Sequence, residues 1–269
     1  MKIDSLKQRI QTDWSPLFRA VLKPVALVLA VALMLLLVAT VKPRSLKVAP
    51  VTPKVLMVGD SLTVGKFGEI LRDYLANAYG AENIAVYGSC GSSPENWLGS
   101  EPTFFTPCGY REHTPRRSRV IDARTHIRTP KLEELIAAYR PTILIVQLGT
   151  NWMDRLVSGN PAKEQEMRVF LDRFVRVARG RPRRIIWITP PDSAHYPARV
   201  QRRVASLIKE AADRDQFEII DSKPMTNYVV GKTGGDGVHY NAESSRRWAD
   251  QVITRLKRKW ELAGLYQGR

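Results

Sequence analysis

The sequence predicts an α/β protein: a three-layer α/β/α sandwich around a five-stranded parallel sheet, preceded by one N-terminal transmembrane helix. Two observations lead to this prediction. Short apolar runs alternate with segments of helical periodicity from residue 54 to residue 262, a pattern typical of a parallel sheet covered by helices on both faces. An uncharged apolar run at residues 24–41 has nearly the length that crosses a bilayer.

The predicted strands and helices alternate along the chain. Each strand is a short apolar run, and each helix has apolar residues at spacings of three and four. The predicted strands cover residues 54–58, 83–87, 142–148, 184–189 and 217–220. The predicted helices cover residues 62–78, 131–139, 163–178, 197–213 and 242–262. One long stretch, residues 89–129, lacks periodicity and is predicted to be a loop insertion.

Composition divides the chain into four parts. Residues 1–23 form a predicted cytoplasmic tail, residues 24–41 the transmembrane anchor, residues 42–53 a linker with three prolines, and residues 54–269 the folded domain. A cleavable signal peptide is the main alternative to the anchor. Because no pair of small residues stands at cleavage spacing after the apolar run, we expect a retained anchor in the cell inner membrane.

Charge alone does not orient the anchor, since five Lys and Arg residues precede the apolar run and four follow it closely. The two cysteines favour a domain outside the cytoplasm, because Cys90 and Cys108 can form one disulfide there. Two unpaired thiols are the alternative. The expected location is therefore a single-pass inner-membrane protein with its folded domain on the periplasmic side.

The chain carries a formal net charge of +16, with arginines concentrated in residues 111–128 and 173–184. Nucleic-acid binding is one interpretation of such a charge. No nucleic-acid motif accompanies it, and an extracytoplasmic domain rarely meets nucleic acid, so we expect no nucleic-acid partner. Attraction to anionic lipid or acidic envelope polymer fits the predicted location better, and a simply solvated basic surface is the plainest alternative.

A serine at the end of the first predicted strand is the first candidate catalytic residue. Ser61 stands between a strand and a helix, at the sheet edge where α/β folds hold ligands and where helix N–H groups stabilise anions. The alternative is a helix N-cap. Gly59 and Gly65 are one residue too far apart for a phosphate-binding loop, and Thr63 replaces the second glycine of an α/β-hydrolase elbow.

Three further polar residues are candidates. Asn151 comes just after the strand 142–148, where its amide can donate to an oxyanion or form an ordinary turn. Asp236 and His239 lie three residues apart in a glycine-rich loop before the last helix, and a histidine base oriented by a carboxylate is what a serine nucleophile needs. The same pair can be half of a metal site, but no Cys and His cluster at metal spacing supports one. We expect neither metal nor cofactor.

Together these motifs resemble those of the SGNH (GDSL-type) hydrolase superfamily, whose flavodoxin-like α/β/α sandwich matches the predicted fold. The resemblance spans about residues 54–262 and is carried by Gly59-Asp60-Ser61-Leu62, Gly149-x-Asn151 and Asp236-x-x-His239. It implies that Ser61 is the nucleophile, His239 the general base and then acid, and Asp236 the residue that orients the histidine. It also implies an oxyanion hole made by the Ser61 N–H, the Asn151 side chain and a glycine N–H.

The glycine of the implied oxyanion hole has two candidates, Gly88 and Gly91, which both follow the second predicted strand. We assign Gly91 because it lies deeper in the loop, like the family glycine. Cys90 stands directly beside it. If Cys90 pairs with Cys108, the disulfide pins the oxyanion loop, which is a physical reason for its presence.

The third family motif usually continues with an aspartate after the asparagine, whereas this chain has Trp152 at that position. Trp152 is therefore predicted to shape the pocket for the acyl group or the sugar. Asp60, beside the nucleophile, and His195, which follows the fourth predicted strand, are further candidates for contact with the substrate.

The resemblance implies an ester hydrolase that works through an acyl-enzyme, or an O-acyltransferase with the same triad. The predicted anchor and the basic loops favour O-acyl groups, acetyl among them, on envelope polysaccharide. A lipid esterase of the lysophospholipase or thioesterase type is the alternative, and a non-catalytic binding or scaffold domain is an alternative of another class. Expected partners are an ester-bearing carbohydrate or lipid and the inner membrane; the sequence does not identify a membrane protein that donates acyl groups.

Overall fold

A seven-stranded sheet forms the centre of the computed structural model, which describes residues 53–121 and 126–262. Numbered in chain order, the strands are β1 (Val55–Gly59), β2 (Ile84–Ser89), β3 (Phe105–Thr106), β4 (Tyr110–Thr114), β5 (Arg117–Ile121), β6 (Ile127–Arg128), β7 (Ile143–Gln147), β8 (Arg184–Ile188) and β9 (Glu218–Ile220). β3 and β6 pair with each other. The other strands lie in the order β5–β4–β2–β1–β7–β8–β9.

The prediction of a five-stranded, wholly parallel sheet is wrong in the number of strands. The five predicted strands are present and run parallel to one another, but β4 is antiparallel to β2 and β5 is antiparallel to β4. Both additional strands come from the segment 89–129, which was predicted to be a loop. Neither has an apolar run. β5 is the edge strand, where charged residues such as Arg117 limit further pairing, and β4 lies between it and β2.

Helices cover both faces of the sheet. They are α1 (Ser61–Val64), α2 (Lys66–Tyr79), α3 (Leu132–Tyr139), α4 (Met153–Leu156), α5 (Pro161–Ala178), α6 (Ala198–Asp215) and α7 (Ala242–Leu262). The helices predicted from periodicity are confirmed to within two residues at each end, except that the first divides at Gly65. The short α4 was not predicted.

Alternate residues of the central strands enter two separate cores, which gives the predicted three layers. Leu56 of β1 packs in the core that contains Phe174 of α5. Its neighbour Met57 packs in the other core, where Phe67 of α2 stacks on Trp248 of α7. Because both faces are covered, the central strands are apolar throughout rather than alternating.

The carboxyl ends of the parallel strands meet at one edge of the sheet. The register places Gly59, at the end of β1, beside Gly88 of β2 and Gln147 of β7. The loops that leave these ends carry Ser61 and Asn151, so the topology brings the predicted catalytic segments to a common edge.

The predicted tail, the anchor at residues 24–41 and nearly all of the linker lie outside the described residues. Within the part of the chain that the structure describes, no helix combines the length and the apolar character needed to cross a membrane.

Candidate active site

Ser61 is the first residue of α1, directly after the turn from β1. The turn requires Gly59, because a Cβ there would lie 2.0 Å from Thr63 Oγ1. The N-cap of α1 is Asp60, whose carboxylate accepts a 3.0 Å hydrogen bond from the Leu62 N–H. The alternative interpretation of Ser61 as the cap therefore does not hold, and its hydroxyl is left for chemistry.

Ser61, His239 and Asp236 form a continuous hydrogen-bonded chain. His239 Nε2 lies 2.8 Å from Ser61 Oγ, and His239 Nδ1 lies 2.5 Å from Asp236 Oδ2. With Nδ1 protonated toward Asp236, Nε2 accepts the Ser61 hydroxyl proton. The structure thus brings together the three residues that the family resemblance assigned to one triad, from two segments far apart in the chain.

Backbone N–H groups hold the Asp236 carboxylate. Its Oδ1 accepts hydrogen bonds from the N–H groups of Val238 (2.9 Å) and His239 (2.7 Å). Partial burial favours the neutral acid, but the hydrogen bonds from the His239 ring and from the backbone outweigh it and hold the pKa of Asp236 well below its ordinary value. Asp236 is therefore a carboxylate at neutral pH, the charge that stabilises a protonated histidine.

Tyr228, which no sequence motif indicated, supports the same turn. Its hydroxyl donates to the His239 carbonyl (3.0 Å) and accepts from the Gly237 N–H (3.1 Å). The contact requires Gly234, where a Cβ would lie 2.0 Å from the Tyr228 hydroxyl. Burial raises the pKa of Tyr228, so the hydroxyl keeps its proton. The glycines before Asp236 were the sequence signal for this close packing.

Arg111 of β4 supports the other end of α1. It is 4% exposed, and its Nε donates to the Val64 carbonyl at 2.9 Å. The Glu69 carboxylate lies 4.0 Å from its guanidinium. A cation thus caps the carboxyl end of the helix that begins with Ser61, and the segment predicted as a loop insertion helps to position the candidate nucleophile.

Asn151 lies in the 3-10 turn Thr150–Trp152, which follows β7. Its Nδ2 donates to the Ser92 carbonyl at 2.8 Å, which leaves a second amide hydrogen for another acceptor. Because Ser92 follows Gly91, this hydrogen bond joins the two loops that were predicted to form the oxyanion hole.

The structure distinguishes the two candidate glycines. Gly88 lies inside β2 against α1, and a Cβ there would lie 2.8 Å from the Val64 nitrogen. Gly91 lies in the following loop with a φ of 81°, a conformation that glycine adopts readily. Close packing therefore explains Gly88, and the assignment of Gly91 to the oxyanion hole stays a prediction.

A buried carboxylate that the sequence did not reveal joins the same two loops. Glu95 Oε2 accepts a 2.8 Å hydrogen bond from the Trp152 indole N–H, and Glu95 Oε1 lies 2.6 Å from Arg155 Nη2. Glu95 is 5% exposed and Trp152 is 0% exposed. Trp152, predicted to shape the substrate pocket, is instead a core residue whose N–H anchors the loop that contains Glu95.

Cys90 and Cys108 form a disulfide, so the alternative of two free thiols is not realised. The Cys90 N–H donates to the Gly109 carbonyl at 3.0 Å. Thr106 Oγ1 lies 3.0 Å from the Cys90 carbonyl oxygen and 2.7 Å from that of Gly109. The disulfide and these bonds fasten the start of the Gly91 loop to the segment that leads into β4.

Asp60, predicted as a possible contact with substrate, is 0% exposed and does not reach one. Burial raises the pKa of Asp60 to about 6, against the lowering effect of the Leu62 N–H. Its second carboxyl oxygen faces Thr150 and Gln147 without a hydrogen bond of ordinary geometry. Since Thr150 precedes Asn151, the buried Asp60 carboxyl group lies between the segment of Ser61 and the turn of Asn151.

His195 is exposed beside the loop of Asp236. Its N–H donates to the Gly237 carbonyl at 3.2 Å, and its ring packs edge-on against Tyr196. This position suits the predicted contact with substrate, which stays a prediction.

Comparison with known proteins agrees with this geometry. The family model described as GDSL-like Lipase/Acylhydrolase matches residues 55–252. No curated protein shows significant sequence similarity to this chain. Among solved structures, a catalytic mutant of an acetylxylan esterase from Geobacillus stearothermophilus aligns with 16% identity and a TM-score of 0.51, over 75% of this chain and 93% of that chain.

Two other solved structures are similar. An acetyl esterase mutant with an acetate ion aligns with 13% identity and a TM-score of 0.53, over 78% of this chain and 99% of that chain. TesA aligns with 17% identity and a TM-score of 0.53, over 76% of this chain and 97% of that chain. At such identities these likenesses show the fold alone, whereas the family model covers most of the domain. The chain therefore belongs to the GDSL-like lipase/acylhydrolase family and is a carboxylic ester hydrolase.

Proposed function

We propose that this hydrolase removes or transfers O-linked acyl groups, acetyl among them, on polysaccharide of the cell envelope, with Ser61 as the nucleophile. The observation that carries the proposal is the hydrogen-bonded chain from Asp236 through His239 to Ser61. The Asp236 and His239 side chains are 55% and 49% exposed, so an ester on a large polymer reaches this site without entering a tunnel. The likeness in fold to an acetylxylan esterase and an acetyl esterase supports the acetyl group.

In the first half of the reaction, Ser61 Oγ attacks the ester carbonyl carbon while its proton moves to His239 Nε2. Asp236 stabilises the imidazolium that forms. The carbonyl oxygen becomes an oxyanion, to which the N–H groups of Ser61 and Gly91 and the Asn151 amide donate. The ester C–O bond then breaks, and His239 gives its proton to the departing sugar oxygen, which leaves the acyl group on Ser61.

In the second half, His239 takes a proton from water or from another sugar hydroxyl, whose oxygen attacks the acyl-Ser61 carbonyl. The same donors stabilise the second oxyanion. When this intermediate collapses, His239 returns the proton to Ser61 Oγ. When water is the acceptor, a carboxylic acid is released. When a sugar hydroxyl is the acceptor, a new ester forms, so one set of residues serves hydrolysis and transfer.

The location is part of the proposal. We infer that residues 24–41 anchor the chain in the inner membrane and that the folded domain lies on the periplasmic side. The Cys90–Cys108 disulfide supports this location, because disulfides persist in oxidising compartments. There the enzyme meets O-acylated envelope polymers.

A fluorophosphonate probe, which reacts with activated serines, tests the nucleophile. The full-length protein should be labelled and Ser61→Ala should not. Ser118→Ala, which changes an exposed serine on β5, should be labelled like the wild type. Equal labelling of Ser61→Ala, or no labelling of a folded wild-type protein, would refute the assignment.

Product analysis tests the substrate class. We expect acetate release from acetylated polysaccharide, or acetyl transfer between saccharides, and loss of both in Ser61→Ala. Faster release of long-chain fatty acid from lysophospholipid or acyl thioester would identify a lipid esterase instead.

A further inference from the structure

The edge of the sheet opposite the candidate active site carries a row of cations. This basic edge consists of Lys54, Arg116, Arg140, Arg181 and Arg183. All five side chains are exposed, and none forms an ion pair with a carboxylate of the residues that the structure describes. Their charges are therefore available to a partner.

The topology brings these residues together. Lys54 leads into β1, Arg140 into β7, and Arg181 and Arg183 into β8. Backbone hydrogen bonds join the segments: the Thr142 N–H donates to the Lys54 carbonyl at 2.8 Å, and the Arg183 N–H donates to the Thr142 carbonyl at 2.9 Å. The row is thus fixed to the amino ends of neighbouring parallel strands.

Arg116 extends the row through the antiparallel strands. Since Ser89 pairs with Tyr110 and Val86 with His113, the turn between β4 and β5 lies toward the amino end of β2. Arg116 and Lys54 line one cavity of about 540 Å³. From β4 to β8 there are four interstrand spacings, so the row spans about 19 Å.

Acidic residues near this edge do not neutralise its positive charge. Most are already paired: Glu112 with Arg119, Glu218 with Arg184 and Lys259, and Asp215 with Arg179 and Arg214. Glu82 and Asp213 are exposed there without an ion pair to a cation of the described part. The basic edge therefore keeps a net positive charge.

We propose that the basic edge binds an anionic phospholipid surface and holds the domain with its catalytic edge pointing away from that surface. Lys and Arg near an anionic leaflet are attracted to it. The chain also enters the folded domain at Lys54, so a membrane attachment of the preceding segment brings this edge to lipid first. β1 has five residues and separates Ser61 from the edge by roughly 17 Å.

The consequence for the substrate rests on the proposed function. A triad on the far side of the domain faces soluble or cell-wall polymers, whereas esters within the bound membrane lie out of its reach. The basic edge therefore favours polysaccharide over lysophospholipid, because it fixes the direction in which the proposed triad faces.

Amide hydrogen exchange on the full-length protein in nanodiscs tests the proposal. Discs of phosphatidylcholine are compared with discs that also contain phosphatidylglycerol. We expect slower exchange in residues 114–118, 139–144 and 179–184 on anionic discs, and unchanged exchange in residues 235–240 at the catalytic edge. The protection should disappear at 1 M salt, where the Debye length is about 3 Å.

Two triple variants sharpen the test. Arg140→Gln/Arg181→Gln/Arg183→Gln should lose the protection, because three cations at about fivefold each weaken docking about a hundredfold. Arg202→Gln/Lys232→Gln/Arg246→Gln removes exposed cations elsewhere and should keep it.

The outcomes separate this proposal from the proposed function. Equal exchange on both kinds of disc, protection at the catalytic edge, or protection by a soluble acidic polysaccharide but not by anionic discs would overturn it. Fluorophosphonate labelling of the same samples reports on Ser61 alone. Lipid-dependent exchange without labelling would support the basic edge and count against the proposed nucleophile.

Discussion

Glu95→Leu removes the carboxylate that joins the Gly91 loop to the Asn151 turn. The buried Trp152 indole N–H loses its acceptor at 2.8 Å, and Arg155 loses its ion-pair partner at 2.6 Å. Leucine fills much of the space but accepts no hydrogen bond. The turn and the loop keep the Asn151–Ser92 hydrogen bond but lose their second link, so the donors proposed for the oxyanion are held less firmly.

The free energy of unfolding should fall by about 1–4 kcal/mol. An indole N–H left buried without an acceptor costs about 1–3 kcal/mol. The lost ion pair adds at most about 1 kcal/mol, because the Arg155 side chain is 37% exposed. The sum is smaller than the 5–15 kcal/mol or so that stabilises a typical domain, so the variant stays folded.

The Glu95→Leu variant should lose catalytic activity although it stays folded. One oxyanion donor is worth about 100- to 1000-fold in rate, so a loosened hole should lower kcat roughly 10- to 100-fold with little change in KM. A double-mutant cycle with Asn151→Ala tests the cause. If Glu95 acts by positioning the donors, Glu95→Leu in the Asn151→Ala background should lower kcat by less than about threefold.

A matched control separates positioning from general destabilisation. Val252→Ala removes two methyl groups from a fully buried side chain on α7 and should destabilise the fold by about 2 kcal/mol without lowering kcat. Urea unfolding of each variant supplies the stabilities. Equal effects of Glu95→Leu in both backgrounds, or a loss of kcat no larger than that of Val252→Ala, would refute the reasoning.

Three further predictions concern the triad, the disulfide and Asp60. Asp236→Asn should lower kcat by roughly 10³- to 10⁴-fold and slow fluorophosphonate labelling; unchanged kinetics would contradict the orienting role. Cys90→Ala/Cys108→Ala should lower the free energy of unfolding by about 3 kcal/mol, since the bridge closes a sequence separation of 18 residues; equal urea midpoints with and without the bridge would count against it. Because the pKa of Asp60 is raised to about 6, the folded state binds a proton that the unfolded state releases. The contribution of Asp60 to stability should therefore fall by up to about 3 kcal/mol as pH rises from about 4 to about 6. In urea titrations this appears as the difference between the pH profiles of the wild type and Asp60→Asn.

The parallel core was predictable because its strands are buried on both faces. A run such as Ile143–Gln147 is buried at every position, so its sequence is apolar almost throughout and indicates a buried strand. β4 has no such apolar run. Its sequence, YREHT, predicts a loop when its partner strand is not known. Pairing with β2 and burial of Arg111 beneath α1 decide its structure, and both are contacts between distant segments.

The same distinction applies to the candidate site. Ser61 and Asn151 were predictable because their covalent neighbours are strands, and parallel strands end at one edge. Asp236 and His239 were predictable as an acid and a base at a short spacing. Glu95 had no such local signal: its partner Trp152 is 57 residues away, and a glutamate in a loop is usually solvated.

Trp152 shows why the departure from the family motif was misinterpreted. At a position where the family usually has an aspartate, the loss of a carboxylate suggested an altered pocket. In the structure the carboxylate comes from Glu95 on the loop that follows β2, and the turn after β7 supplies the Trp152 N–H as the donor. The acceptor thus lies on the loop of Glu95 and the donor on the turn of Trp152, and a hydrogen bond joins these two segments. Because a buried donor without its acceptor is costly, replacing Glu95 alone should lower stability, and the two positions are best changed together.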